Sequence, residues 1–173
     1  MATRQDFEAA LGRISIQFAH LDFLLTEILC WLIGGRNPVV GLVLADRMPL
    51  SRKIDRIRGL AGFRLVDPSD RAQLASLLNA VKPLLRTRNE LIHGCWVLEQ
   101  EAMSQGYVKV VNLRSKDLKG PGPWEHFGQE TTYSLANLHD VAQQLSKLTR
   151  RAVEFFGRLN RAEITRINIG PHA

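Results

Sequence analysis

The sequence predicts an all-α fold, a four- to five-helix bundle with a small β-hairpin inserted before the last helix, and three observations point to it. Apolar residues recur every three or four positions over long stretches. Start and stop residues punctuate those stretches, with Ser51, Asp67 or Ser69 and Ser134 opening them and Gly34-Gly35 and Gly94 closing them. Strand-like composition is confined to Trp96 to Gln100 and Tyr107 to Leu113, on either side of a turn at Gly106. At 173 residues and 45% apolar content the chain fits one domain, 1–173, with a core of its own.

The first helix carries its stripe on Phe7, Leu11, Ile14, Phe18, Leu21, Leu25, Ile28 and Leu32. After Asn37-Pro38, Val39 to Asp46 opens a second helical region that breaks at Met48-Pro49. Ser51 is placed to cap its continuation, in which Ile54, Ile57 and Leu60 face the core while Arg52, Lys53, Arg56 and Arg58 face outward. Gly62 to Pro68 reads as a connection. A third helix starts at Asp67 or Ser69 and runs along Leu74, Leu77, Leu78, Val81, Leu84, Leu85, Leu91 and Ile92, with Pro83 placed to kink it. Lys116 to Glu130, with Gly120-Pro121-Gly122-Pro123, reads as a surface loop. Ser134 then caps a last helix built on Leu135, Leu138, Val141, Leu145, Leu148, Val153, Phe155, Phe156 and Leu159.

Bulk chemistry narrows the function classes. A formal charge of +6 favours a polyanionic partner, nucleic acid first. Cys30 and Cys95 each sit beside Trp in apolar sequence, which suggests buried reduced thiols and a cytoplasmic, reducing location. Arg4, Asp6 and Glu8 leave no room for a secretory apolar region at the start of the chain. Leu21 to Ile33 is interrupted by Asp22 and Glu27 and falls short of the roughly 20 residues a bilayer requires, so a buried helix is expected and no membrane association. The five histidines are scattered, so neither a metal nor a cofactor is expected.

Chemistry concentrates in Arg86-Thr87-Arg88-Asn89-Glu90-Leu91-Ile92-His93-Gly94. Arginine keeps its charge at any working pH and presents a planar fork to phosphate oxygens, whereas histidine exchanges its proton near neutrality. At about 100° per residue, Arg86, Asn89, Glu90 and His93 share one polar side. Arg88 falls near the middle of the apolar face instead. It therefore has two readings: a phosphate ligand whose long stem bends around the helix, or an internal tie-bar that needs an acceptor such as Asp22, Asp46 or Asp55. Arg52, Lys53, Arg56, Arg58, Arg64 and Arg71, and likewise Arg150, Arg151, Arg158, Arg161 and Arg166, either track an RNA backbone or form solvated helix faces. Trp124, His126 and Phe127 either stack on bases or pin their loop.

The pattern Arg88-Asn89-x-x-x-His93, late in a helix that follows a long amphipathic one, resembles the HEPN family of small helical domains. Phe18-Ala19-His20-Leu21-Asp22 resembles the aromatic-x-x-Leu-acid element of bacterial members, and Met48-Pro49-Leu50-Ser51-Arg52-Lys53-Ile54 looks like their second-helix entry. The resemblance, from Phe7 to Leu159, implies a metal-independent endoribonuclease of toxin or defence type. In such members two copies of the motif meet across a homodimer axis. It makes Arg88, Asn89 and His93 the catalytic set, with RNA as substrate and an antitoxin or other protein as a further partner. Arg86 is a second phosphate-binding candidate, which takes the role should Arg88 be locked inside. The family also contains members that only bind or assemble, so a non-catalytic dimerisation module with Arg88 in a buried ion pair with Asp22 stands as the alternative.

Overall fold

A computed structural model of the chain describes residues 2–34, 38–112 and 129–168, with backbone alone for Pro38 and 162–168. Among them are six helices and three strands: α1 (Arg4–Gly34), α2 (Pro38–Ala45), α3 (Leu50–Arg64), α4 (Pro68–His93), β1 (Cys95–Val97), α5 (Gln100–Ser104), β2 (Tyr107–Asn112), β3 (Gln129–Ser134) and α6 (Leu135–Asn168). The fold is the mostly helical one expected, with its small sheet ahead of the final helix. The chain packs into two compact units, one of residues 1–18 and 84–144, the other of 19–83 and 145–173.

In the first unit the core is Phe7, Ile14, Phe18, Leu84, Leu91, Leu138 and Val141, together with Val108, Val110 and Tyr133 from the sheet. The alternation along β2 sends Val108 and Val110 inward. Antiparallel pairing sets Val108 opposite Tyr133 and Trp96 opposite Val110, in the order β1-β2-β3. The expected hairpin is thus a three-stranded sheet. Its third strand, Gln-Glu-Thr-Thr-Tyr-Ser, buries only Tyr133, so its polar composition hides it from a hydrophobic pattern. The first strand is also shorter than expected, because Gln100 already belongs to α5. Cys95, expected to be buried, is exposed. Residues 116–128 of the expected loop, with Trp124, His126 and Phe127, lie outside the described residues, while Gln129 and Glu130 belong to β3.

The start of α6 follows its expected cap. Asn137 N donates to Ser134 Oγ at 3.0 Å and Ser134 N donates to Asn137 Oδ1 at 3.1 Å, the reciprocal arrangement that satisfies two otherwise orphaned donors.

The second unit is built on Leu21, Leu25, Ile28, Leu29 and Leu32 of α1 with Ile54, Ile57, Leu74, Leu77, Leu78, Val81, Leu145, Leu148, Phe155 and Leu159. By length and composition α1 would pass as a membrane span, and its apolar stripe lies buried within the protein. Gly41 lets α2 come to backbone contact with α1, since a Cβ there would lie 2.6 Å from Cys30 Cα. Asp67 opens α4, accepting from Ser69 N at 2.8 Å, with Pro68 as the first helical residue.

Four expectations in this unit need correction. Pro49, not Ser51, precedes α3, and no side chain caps it. Gly62 lies inside α3, which runs on to Arg64. Lys53 does not face outward: only 7% exposed, it donates to Asp22 Oδ1 and Thr26 Oγ1, each at 2.8 Å. Its position three residues from Leu50 and four from Ile57 puts it on the buried face. In α6, Val153 also departs from its expected core place and is exposed.

Candidate functional site

The last turns of α4 carry the site, and local rules explain how the helix ends there. His93 is its last residue, and Gly94 N donates to Glu90 O at 3.0 Å. A Cβ at position 94 would run into Val110 and the Glu90 carbonyl, so glycine is required by the close approach of the sheet. Trp96 Nε1 donates to Leu91 O at 2.7 Å, satisfying one of the carbonyls that a helix end leaves free. These contacts tie the helix end to the sheet that follows it.

Arg88 lies half-buried with its guanidinium carbon 5.1 Å from the centroid of the Phe18 ring, a cation–π stack against α1. From there the side chain bends towards the polar side. Its Nη1 donates to Asn89 Oδ1 at 3.0 Å and lies 3.4 Å from His93 Nε2. The guanidinium thus has the Phe18 ring on one side and Asn89 and His93 as polar neighbours, and none of the three carboxylates expected as its acceptor is among these partners. Arginine has no acceptor, so the contact with His93 requires a lone pair on Nε2 and the ring proton on Nδ1. Arg88 Nε is buried without a hydrogen-bond partner, an unmet donor that costs stability. Asn89 and His93 are exposed.

Arg86 takes a different position. Its Nε lies 3.2 Å from Glu90 Oε1, and Tyr133 Oη donates to Glu90 Oε2 at 3.1 Å. Burial first, then the Glu90 carboxylate, push the Tyr133 hydroxyl up to about 12. Tyr133 therefore stays a donor at every working pH and ties β3 to α4 beside the motif. Sequence reasoning missed this tie, because 43 residues separate the partners and nothing local marks either.

The acceptor expected for Arg88 has another role. Asp22 accepts from Lys53 at 2.8 Å, an ion pair in which the lysine is buried and the aspartate partly exposed, and Thr26 accepts from the same lysine. Asp46 lies 3.7 Å from Arg47. Arg88 instead finds its partners on its own helix and on Phe18. Among the described residues no cluster of His, Cys, Asp and Glu has metal-ligand spacing.

The arrangement joins one permanent cation, one amide and one imidazole at an accessible helix end, a set able to bind an oxyanion and move a proton beside it. Comparison of the chain with protein-family models, with characterised proteins and with solved structures finds no match.

Proposed function

We propose that the chain is a metal-independent endoribonuclease of HEPN type, working as a homodimer whose two Arg88–Asn89–His93 sets address one RNA. The observation that carries this reading is the grouping of Asn89 Oδ1 and His93 Nε2 around a single Arg88 nitrogen, at 3.0 and 3.4 Å, on an exposed helix end. RNA brings its own nucleophile. His93 of one copy takes the proton of the 2′-hydroxyl, whose oxygen attacks the adjacent phosphorus. The bond from phosphorus to the 5′-oxygen breaks, and His93 of the second copy protonates that oxygen. A 2′,3′-cyclic phosphate and a 5′-hydroxyl end result. Arg88 steadies the charge that grows on the non-bridging oxygens, and Asn89 orients its guanidinium. Arg86, beside Glu90, is the second candidate for holding a phosphate. Such an activity in the cytoplasm calls for restraint, and an antitoxin-like protein is the proposed partner.

RNA incubated with purified protein in excess chelator tests the reading. Wild type should cut it, and His93→Ala and Arg88→Ala should each cut at least about a hundredfold more slowly with the helical circular dichroism unchanged. Intact RNA with wild type, or equal cleavage by the variants, sinks it.

The stack of Arg88 on Phe18 favours a second reading, a binding module in which Arg88 is structural. In that case Arg88→Ala unfolds the first unit, and His93→Ala changes nothing.

A further inference from the structure

Large apolar side chains left in water concentrate in one place. Val39, Val40, Leu42, Val43 and Leu44 on α2, Phe63 near the end of α3 and Val66 just beyond it are all exposed, Phe63 at 89% and Val43 at 69%. Within Pro38–Ala45 there is no polar side chain, so no face of α2 suits water. A cavity of about 510 Å³ opens at this surface, lined by Leu29, Ile33, Leu44, Met48, Leu60 and Phe63, with Asp55 and Arg56 on its wall. Solitary exposed apolar residues are ordinary, whereas here exposed Leu44 of α2 and Phe63 of α3 border one apolar cavity, and an apolar surface of this kind marks a contact surface.

The charges select the occupant. Asp55 and Arg56 are exposed and enter no ion pair among the described residues. An apolar cavity flanked by one acid and one base is complementary to itself: under a two-fold axis Asp55 of each copy meets Arg56 of the other. A bilayer would have to take up the Asp55 carboxylate, which hydrocarbon penalises. A nucleic acid would bring phosphates to the same carboxylate and gain little from aliphatic side chains.

We infer that the face formed by α2 and α3 is a self-association surface, with Phe63 of one copy seated in the cavity of the second and the Asp55–Arg56 pairs closing its rim. This surface contains none of Arg88, Asn89 and His93 and stands whether or not the chain cuts RNA.

Light scattering on the eluting full-length protein at micromolar concentration tests it. The wild-type mass should fall about twofold in Phe63→Glu and in Val43→Glu, with unchanged circular dichroism. Asp55→Arg should lower it likewise, and the double change Asp55→Arg with Arg56→Asp should restore it. A monomeric wild type overturns the inference, as does a mass that Phe63→Glu and Val43→Glu leave alone. Flotation of a monomeric wild type with phosphatidylcholine–phosphatidylglycerol vesicles overturns it in favour of a lipid surface. A monomeric wild type would also remove the homodimer of the ribonuclease reading, whereas an oligomer whose mass Phe63→Glu and Val43→Glu leave alone overturns this inference only, and RNA left intact by an oligomeric wild type overturns only the other.

Discussion

Tyr133 and Lys53 show how a single side chain takes its chemistry from what packs on it. The Tyr133 hydroxyl is raised from 10.0 to about 12, so below pH 10 the folded and unfolded chains both keep the proton and its contribution is whole. As pH climbs from 10 to 12 the unfolded chain releases that proton first, and stability falls. Tyr133→Phe should cost about 1–2 kcal/mol at neutral pH through the lost bond to Glu90 and should show a shallower decline over that alkaline window. Urea titrations across pH measure both, and equal slopes would count against the bond. The Lys53–Asp22 pair is lopsided, the lysine side chain being 9% exposed and the aspartate 39%. Asp22→Ala strands a buried ammonium and should cost about 3 kcal/mol, whereas Lys53→Met leaves a carboxylate that water reaches and should cost about 1 kcal/mol. The reverse order in denaturant titrations would show that the aspartate is the dependent partner.

At the scale of elements, the end of α4 and the start of α6 fail in different ways when altered. Ser134→Ala removes half of a reciprocal cap and should cost about 1 kcal/mol, leaving the fold intact. Gly94→Ala forces a methyl group into the Glu90 carbonyl and the Val110 side chain of β2, so the sheet must shift from the helix end. That change should cost more than about 2 kcal/mol. It should also blur the proton spectrum of His93, the neighbouring residue. If Gly94→Ala proves no worse than Ser134→Ala in chemical denaturation, the close approach is not what demands glycine.

For the whole molecule, charge is the property with the longest reach. On the proposed reading, a chain of net charge +6 would exchange bound cations for arginine and lysine contacts when it takes RNA by its phosphates. Binding of an unstructured RNA by the His93→Ala variant, measured by filter retention, should therefore weaken steeply with salt, by a logarithmic slope of about 0.7 per phosphate contacted. Salt-independent retention would mean that the basic faces do not touch the backbone. Arg58, Arg151 and Arg158 are expected to contribute less than exposed Arg52, which has no ion pair among the described residues, because Asn79, Ser76 and Gln73 respectively already accept from them.

Period and punctuation were enough to lay out the long helices. Phe7, Ile14, Phe18, Leu21, Leu25, Ile28 and Leu32 are buried as their spacing requires, and Asp67, Ser134 and Gly94 act where their side chains or lack of one suit a helix end. These signals are local, so one strand of sequence contains them. The motif was legible in the same way, since Arg88, Asn89 and His93 lie within six consecutive residues of one helix. What only tertiary structure decided are the pairings between distant residues: Lys53 with Asp22, Tyr133 with Glu90, Arg88 over Phe18, and β3 beside β2. Each depends on which elements come to lie together, and a charged or polar side chain gives no sign in advance of the neighbour that will desolvate it.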